Sequence, residues 1–324
     1  MFLFYMRIYD YVIYHKRCYD GFTGFLILHN SNTIKKNAKI YPDIPSAKTI
    51  PPFIHDKNVI IIDVAYKYEI LREIVRQAKF VTFIDHHITI FEDVKRVQRE
   101  FKNLKVIYDK EKSGATLTWD FFNPRKNTPL FIKYIEDNDI GKWKMKNIFE
   151  FISALFVKYD PHPSQHNINL WNKLYSNKTI YDLIETGKIY MEYKQSVLKE
   201  HSKRFSIERF PSEKIYSKYP EIFTKPGQYT IAVYCGTPSP SASDVARKIL
   251  KDYKCDFFMS WVLNLDKREY VLIFRSEKVD VGKIASIFNG GGHTLAAAGS
   301  IKMDLISIED LFLGNSINRD KLSY

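Results

Sequence analysis

Three short apolar runs constrain the fold of this 324-residue chain most strongly: Tyr9–Tyr14, Val59–Ile62 and Phe80–Ile84. Each is too short for a typical helix and has few or no polar breaks, which reads as a strand buried on both faces. Helix-like segments follow, Gly21–Asn30 after the first run and Tyr68–Gln77 after the second. Such alternation implies a parallel sheet with helices on both sides. Lys105–Tyr108 reads as a further strand, and Ser113–Phe122 and Leu130–Asp137 as helices. The expected class is α/β: an N-terminal doubly wound, mainly parallel sheet, a helical linker, and a smaller C-terminal α/β domain.

From about Phe149 to Phe205, Leu, Ile, Tyr and Met recur at helical spacing, and a polar stretch with Pro211 and Pro220 reads as a linker. Beyond it, Tyr229–Val233 reads as a strand and Ser243–Lys251 as a helix. Phe257–Leu263 and Tyr270–Phe274 form a β-pair around the polar turn Asn264–Arg268, and Val281–Phe288 is a helix. The expected division is 1–160, 161–225 as connector and linker, 226–305, and a tail over 306–324.

The chain carries 49 Lys and Arg against 37 Asp and Glu, a formal net charge of +12, which favours polyanionic partners such as nucleotides or nucleic acid. A generally basic protein with no such partner is the plainer alternative. Cys18, Cys235 and Cys255 are too few and odd in number for a disulfide framework, and point to a reducing compartment. No apolar run approaches the ~20 residues of a membrane span. The opening Met1–Arg7 lacks the basic start and cleavage site of a signal peptide. The expected location is cytoplasmic, with a nuclear one left open.

Four groups of acidic or imidazole side chains fall at the ends of regular elements in the first half. They are His15 with Asp20, Asp63, Asp85-His86-His87, and Glu136-Asp137-Asn138-Asp139. Ligands of open α/β sheets bind outside the carboxyl ends of strands, where three of these groups lie. Each alone has a plainer reading: Asp20-Gly21 as a turn, Asp63 as a helix cap, the histidine pair as incidental. Together they form one layer of carboxylates and imidazoles suited to Mn²⁺ or a similar ion. Two such ions about 3.5–4 Å apart would clamp a phosphate and activate water. In the second half, Gly290-Gly291-Gly292-His293 could offer backbone donors to an anion, and Arg275-Ser276 a guanidinium fork.

In order and spacing these segments resemble the DHH phosphoesterase superfamily with its C-terminal DHH-associated domain. Asp85-His86-His87 is similar to the name-giving motif, His15 to Gly21 to the first, Asp63 to the second, and Glu136–Asp139 with Trp143 to the fourth. Ser113-Gly114-Ala115 resembles the small-residue helix start that follows the Asp-His-His strand. Arg275, Ser276, Gly290, Gly291, Gly292 and His293 are similar to substrate-binding elements of the associated domain. The resemblance spans about residues 10 to 300. It implies a hydrolase with two Mn²⁺, or Mg²⁺ instead, held by His15, Asp20, Asp63, His86 and Asp137. Asp139 is the alternative to Asp137, and motif register favours Asp137. Asp63 would bridge the ions, His87 would contact the scissile phosphate, and Asp85 would support the imidazoles. The chain departs from the pattern at Cys18, where many members carry an aspartate; a softer ligand there would weaken one metal site.

The function this implies is metal-dependent hydrolysis of short oligonucleotides or small nucleotides by activated water. The alternatives are a single-strand exonuclease of the RecJ type and a nucleotide- or nucleic-acid-binding protein weakened in catalysis at Cys18.

Overall fold

In a computed structural model the described residues are 7–45, 47–314, 317–318 and 322. Most of the opening run Met1–Arg7 and parts of the tail lie outside them. The chain divides into two compact units, Met1–Met191 and Glu192–Tyr324.

The first unit is built on a five-stranded sheet. Its strands are β1 (Tyr9–His15), β2 (Ile34–Asp43), β3 (Asn58–Ile62), β4 (Phe80–Asp85) and β5 (Leu104–Tyr108), in the order β2-β1-β3-β4-β5. All neighbours pair in parallel. The order reverses between β1 and β3, so the crevice at their carboxyl ends is the switch point where ligands bind in doubly wound folds.

Both faces of the sheet are buried, as the apolar runs required. Val12, Tyr14, Ile60, Ile62 and Ile84 pack on one side, and Tyr11, Ile13, Val59, Ile61, Val81 and Phe83 on the other. The first face is covered by α1 (Tyr19–His29), α4 (Gly114–Phe122), α5 (Leu130–Asp139), α6 (Ile148–Lys158), α7 (Gln165–Asn172) and the start of α8 (Asn177–His201). The second is covered by α2 (Tyr68–Gln77) and α3 (Phe91–Glu100). Ser113 caps α4, its hydroxyl accepting from the Thr116 N–H at 3.3 Å. Cys18 caps α1, its sulfur accepting from the Gly21 N–H at 3.5 Å.

Strand β2, at the sheet edge, is the one element of this sheet not expected. Its alternation is broken by exposed Lys35, Lys36 and Asn37, and Pro42 lies within it. Proline is tolerated in strands mainly at edges, where no ladder N–H is needed.

The second unit holds a six-stranded mixed sheet in the order β10-β11-β9-β8-β7-β6. Its strands are β6 (Ser206–Phe210), β7 (Tyr229–Cys235), β8 (Phe257–Asn264), β9 (Glu269–Ser276), β10 (Gly291–His293) and β11 (Ala296–Lys302). Only β7 and β8 pair in parallel. Helices α9 (Glu213–Lys218), α10 (Ala242–Asp252) and α11 (Val281–Ser286) accompany the sheet. Residues expected as a polar linker around Pro211 thus carry β6 and α9. No helix among the described residues is long and apolar enough to cross a membrane.

Candidate metal centre

Strand ends and two helix ends bring the motifs of the first unit to one point. His15 closes β1, Asp63 follows β3, Asp85 closes β4 with His86 and His87 just beyond, Asp20 sits in the first turn of α1, and Asp139 closes α5. Three overlapping groups have donor atoms all within 4.8 Å of one another: His15, Cys18 and Asp63; Asp20, His86 and Asp139; and Asp63, His86 and His87.

Asp63 lies at the centre. Its Oδ2 is 3.3 Å from His15 Nδ1 and accepts from the Cys18 thiol at 3.2 Å. Its Oδ1 is 3.3 Å from His86 Nε2 and 3.8 Å from His87 Nδ1. His86 Nε2 is also 3.3 Å from Asp139 Oδ2. Asp63 has a left-handed backbone, φ +61°, held by its N–H donating to the Ile84 carbonyl at 2.9 Å. Arg17, between His15 and Cys18, is left-handed as well, φ +58°. Non-glycine residues in this region carry strain, and such strain clusters at functional sites.

The surroundings leave little room. A Cβ on Gly21 would lie 2.8 Å from the His15 Cβ. One on Gly114 would lie 2.8 Å from Asp20 Oδ2 and 2.9 Å from the Asp63 Cβ. The small-residue start of α4 therefore lets a helix N-terminus press against two carboxylates. The Ala115 N–H donates to Asp20 Oδ1 at 3.0 Å.

Asp20, Asp63 and Asp85 are each at least 99% buried. Burial, then the neighbouring Asp63 and Asp139, raise the Asp20 carboxyl well above the carboxylate range. Burial would also raise Asp63, but the His15 and His86 imidazoles against it outweigh this and hold it low. For His86, burial opposes the charged form, yet Asp63, Asp20 and Asp139 lift it to about 9. Asp139 is pushed up to about 6 by burial and by Asp63. Burial, Asp63 and Asp20 push the Cys18 thiol up.

A cation site fits this set on its own geometry. His15 Nδ1, Asp20 Oδ2, Asp63 Oδ1 and His86 Nε2 are buried and have no hydrogen-bond partner among the described residues. Buried polar atoms are rarely left so, because each costs desolvation without return. Four of them converging, two carboxylates and two imidazoles, describe a cradle for a divalent ion.

Asp85 serves differently. Its Oδ1 accepts from the His86 and His87 N–H groups at 2.7 and 2.8 Å and lies 2.7 Å from His87 Nδ1. It fixes the turn after β4 and raises the His87 imidazole.

Of the two aspartates at the end of α5, the structure brings Asp139 and not Asp137 to the cluster. Asp137 points away from the cluster; its oxygens accept from the Lys144 and Met145 N–H groups at 3.0 and 2.9 Å. It shapes the loop after α5, in which Trp143 has φ +48°. Two residues later, just over half a helical turn on, Asp139 reaches His86. Glu136 accepts from the Ser113 N–H at 3.2 Å and so ties α5 to the start of α4.

The candidate substrate residues lie in the second unit. Register pairs His293 with Ala296, and Ala296 with Arg275, so Arg275 and His293 share one face of the sheet. Arg275 donates from Nε to Ser243 Oγ at 2.9 Å and from a terminal nitrogen to the Phe274 carbonyl at 2.8 Å. Ser276 is a turn residue: its hydroxyl accepts from the Lys278 and Val279 N–H groups and donates to the Asp256 carbonyl. The glycines are not a free loop, because Gly291–His293 pairs with β11. A Cβ on Gly290 would lie 2.0 Å from the Ala298 carbonyl oxygen, and on Gly292 2.5 Å from that of Ala296. Only at Gly291 is the space open.

No protein-family model matches the chain. It is 29% identical over 303 residues to uncharacterized protein R106 of Acanthamoeba polyphaga mimivirus, an alignment covering 89% of this chain and 66% of that one. The chain thus spans just under two thirds of that relative's length. A pGpG-specific phosphodiesterase, PggH, from Vibrio cholerae is similar at TM-score 0.49 and 13% identity, over 91% of this chain and 94% of that one. An exopolyphosphatase-related protein from Bacteroides fragilis gives TM-score 0.41 and 13% identity, over 94% and 89%. RecJ from Thermus thermophilus, in complex with Mn²⁺, gives TM-score 0.36 and 12% identity, over 92% and 50%. In the order of its motifs this chain resembles the DHH phosphoesterase superfamily, and the first unit brings those motifs to the carboxyl edge of one parallel sheet.

Proposed function

We propose that the chain is a metal-dependent phosphoesterase acting on small nucleotides or short oligonucleotides. The observation that carries this reading is the pair of ligand groups sharing Asp63. His15, Cys18 and Asp63 would hold one divalent cation; Asp20, His86 and Asp139 would hold the second, which Asp63 would also reach through its 3.3 Å approach to His86 Nε2. Carboxylates with imidazoles suit Mn²⁺, and Mg²⁺ less well. Bound at such a site, two cations polarise a phosphoryl group and bring water within reach of deprotonation at neutral pH.

The protein's own groups set up that chemistry. Asp63, held anionic by two imidazoles, is the ligand available to both sites. Asp20 is oriented by the Ala115 N–H. Asp85 fixes the His87 ring through Nδ1, which leaves Nε2 to meet a phosphate oxygen. Covalent catalysis through Cys18 is disfavoured, since its sulfur is engaged with Asp63 and the α1 cap. Arg275 and His293, on one sheet face of the second unit, are candidates for binding an anionic ligand there. The net charge of +12 accords with an anionic substrate.

The test is hydrolysis by the full chain with Mn²⁺, Mg²⁺ or chelator. The substrate panel is pGpG, pApA, a long single strand, 3′-phosphoadenosine 5′-phosphate and pyrophosphate. Turnover that needs metal and vanishes in Asp63→Asn supports the reading. No turnover of any substrate with either metal sinks it and leaves the binding-protein alternative.

A further inference from the structure

Beside the metal centre, and within the first unit, lies a pocket of about 200 Å³. Three elements build it. The start of α1 contributes Arg17, Cys18, Tyr19 and Asp20; α5 contributes Ile135, Asn138 and Asp139; α6 contributes Ile152 and Phe156. The i, i+3 and i+4 spacing of the α5 residues, and the i, i+4 spacing of the α6 pair, put each set on one helix face. Asp20, Asp139 and Cys18 also belong to the ligand groups, so whatever fills the pocket lies next to the ions.

Its far wall is aromatic and apolar. The Tyr19 and Phe156 rings stack at 4.4 Å between centroids, 28° apart. Phe156 is 52% exposed even so, while Ile135 and Ile152 are buried behind the pocket. A half-exposed ring already stacked on a neighbour offers a flat face for a third ring. Neither the Arg17 guanidinium nor the Asn138 amide has a side-chain partner among the described residues. The volume lies below the roughly 300–1,000 Å³ of pockets for drug-sized ligands, which suits a single ring system.

We propose that this pocket is a nucleobase subsite: a base attached to the reacting phosphate stacks against the Phe156–Tyr19 pair, the Asn138 amide hydrogen-bonds its edge, and Arg17 meets the phosphate. The proposal rests on the phosphoesterase reading for its reacting phosphate. It deepens that reading by assigning the substrate class as nucleoside phosphates rather than inorganic polyphosphate, with base selection made in the metal-bearing unit. Stacking of a base on an aromatic side chain is sequence-tolerant, so Asn138 supplies what discrimination among bases there is.

The test is calorimetric binding of AMP, and of ribose 5-phosphate, which lacks the base, to the full chain in Ca²⁺. The parent is expected to prefer AMP. Phe156→Ala should weaken AMP binding about five- to 150-fold, the value of one stacking contact, and leave ribose 5-phosphate binding unchanged. Phe156→Trp should keep the preference, and Asn138→Ala should narrow differences among AMP, GMP and UMP. Equal binding of AMP and ribose 5-phosphate by the parent overturns the proposal. So does equal loss of both ligands in Phe156→Ala, or AMP binding by Phe156→Ala and Asn138→Ala as tight as the parent's. This readout needs no turnover, so failure of the phosphoesterase reading shows separately, as an inert substrate panel.

Discussion

Gly114→Ala tests whether the first turn of α4 is pressed against the metal-site carboxylates. At an unhindered helical position this change stabilises by about 0.5–1 kcal/mol, since glycine loses more conformational freedom on folding. Here the new methyl would meet Asp20 Oδ2 at 2.8 Å and the Asp63 Cβ at 2.9 Å. The carbon–carbon approach is roughly 0.6–1 Å inside the ordinary separation of about 3.5–4 Å. Asp20 cannot swing aside without losing the Ala115 N–H at 3.0 Å, and Asp63 is fixed by its backbone bond to Ile84. Overpacking of this kind costs about 1–3 kcal/mol, more than the helical gain, so the sign reverses. Displaced carboxylates should also weaken Mn²⁺ binding about 10–100-fold, as when a supporting group is altered. Urea denaturation with added chelator gives the first quantity and calorimetric Mn²⁺ titration the second. Gly291→Ala, with nothing within 4 Å, is the control and should change stability by less than about 0.5 kcal/mol. If Gly114→Ala is more stable than the parent and binds Mn²⁺ as tightly, the close approach of α4 to the carboxylates is refuted.

Further outcomes follow from other contacts. Asp85→Asn should lower hydrolysis about 10–100-fold through His87 while Mn²⁺ content, read by elemental analysis, stays at two ions; loss of metal would make Asp85 a ligand. Cys18→Asp should tighten Mn²⁺ binding by replacing a soft sulfur ligand with a hard oxygen one, and unchanged affinity would remove Cys18 from the site. Gly187→Ala should destabilise the first unit by more than the ~1–3 kcal/mol of ordinary overpacking, because its methyl would lie 1.9 Å from the Glu150 carbonyl oxygen and backbone must yield to backbone; a neutral effect in thermal melts would refute the close crossing of α6 and α8. On β1, burial would raise the Asp10 carboxyl, but Lys35 and the Asn58 N–H at 2.9 Å together hold it below its usual value. A lowered carboxyl stabilises above its unfolded value of about 3.9 and is lost as pH falls through the folded one. Asp10→Asn should therefore lower the melting temperature near neutrality and flatten its fall below about pH 4, and parallel curves would exclude the role.

The parts of the fold legible in the sequence were those whose burial is complete. β1, β3 and β4 are covered on both faces, so their side chains are uniformly apolar and stand out. α3 did not, because only Val94 and Val97 of its body are buried and the rest faces water. β6 and α9 were hidden by Glu208, Arg209 and Pro211, which mimic a linker; the glycine run concealed β10, where pairing needs bare backbone. The site divides in the same way. His15, Asp63 and Asp85-His86-His87 end strands, and strand ends share one edge of a parallel sheet. Asp137 and Asp139 lie on a helix end, where two residues turn a side chain by about 200° and the following loop decides which one it takes up. Nothing local to Phe156 marks it, since the pocket it shares with Asn138 exists only when α1, α5 and α6 are assembled.

Strand β2 leaves one side of the first sheet with open backbone donors and acceptors, a template on which another chain could extend the ladder. Lys35, Lys36 and Lys39 along it, and Pro42 near its end, work against that. A second copy approaching edge to edge would bring rows of ammonium groups together and would meet a position with no N–H to share. Like charges directly opposite each other disfavour pairing of strands. The same lysines that blurred the strand in the sequence therefore act as a barrier to self-association. Replacing Lys36 with valine would keep the Lys35–Asp10 pair to β1 while lowering that barrier, and the consequence to watch for is concentration-dependent fibre growth during refolding.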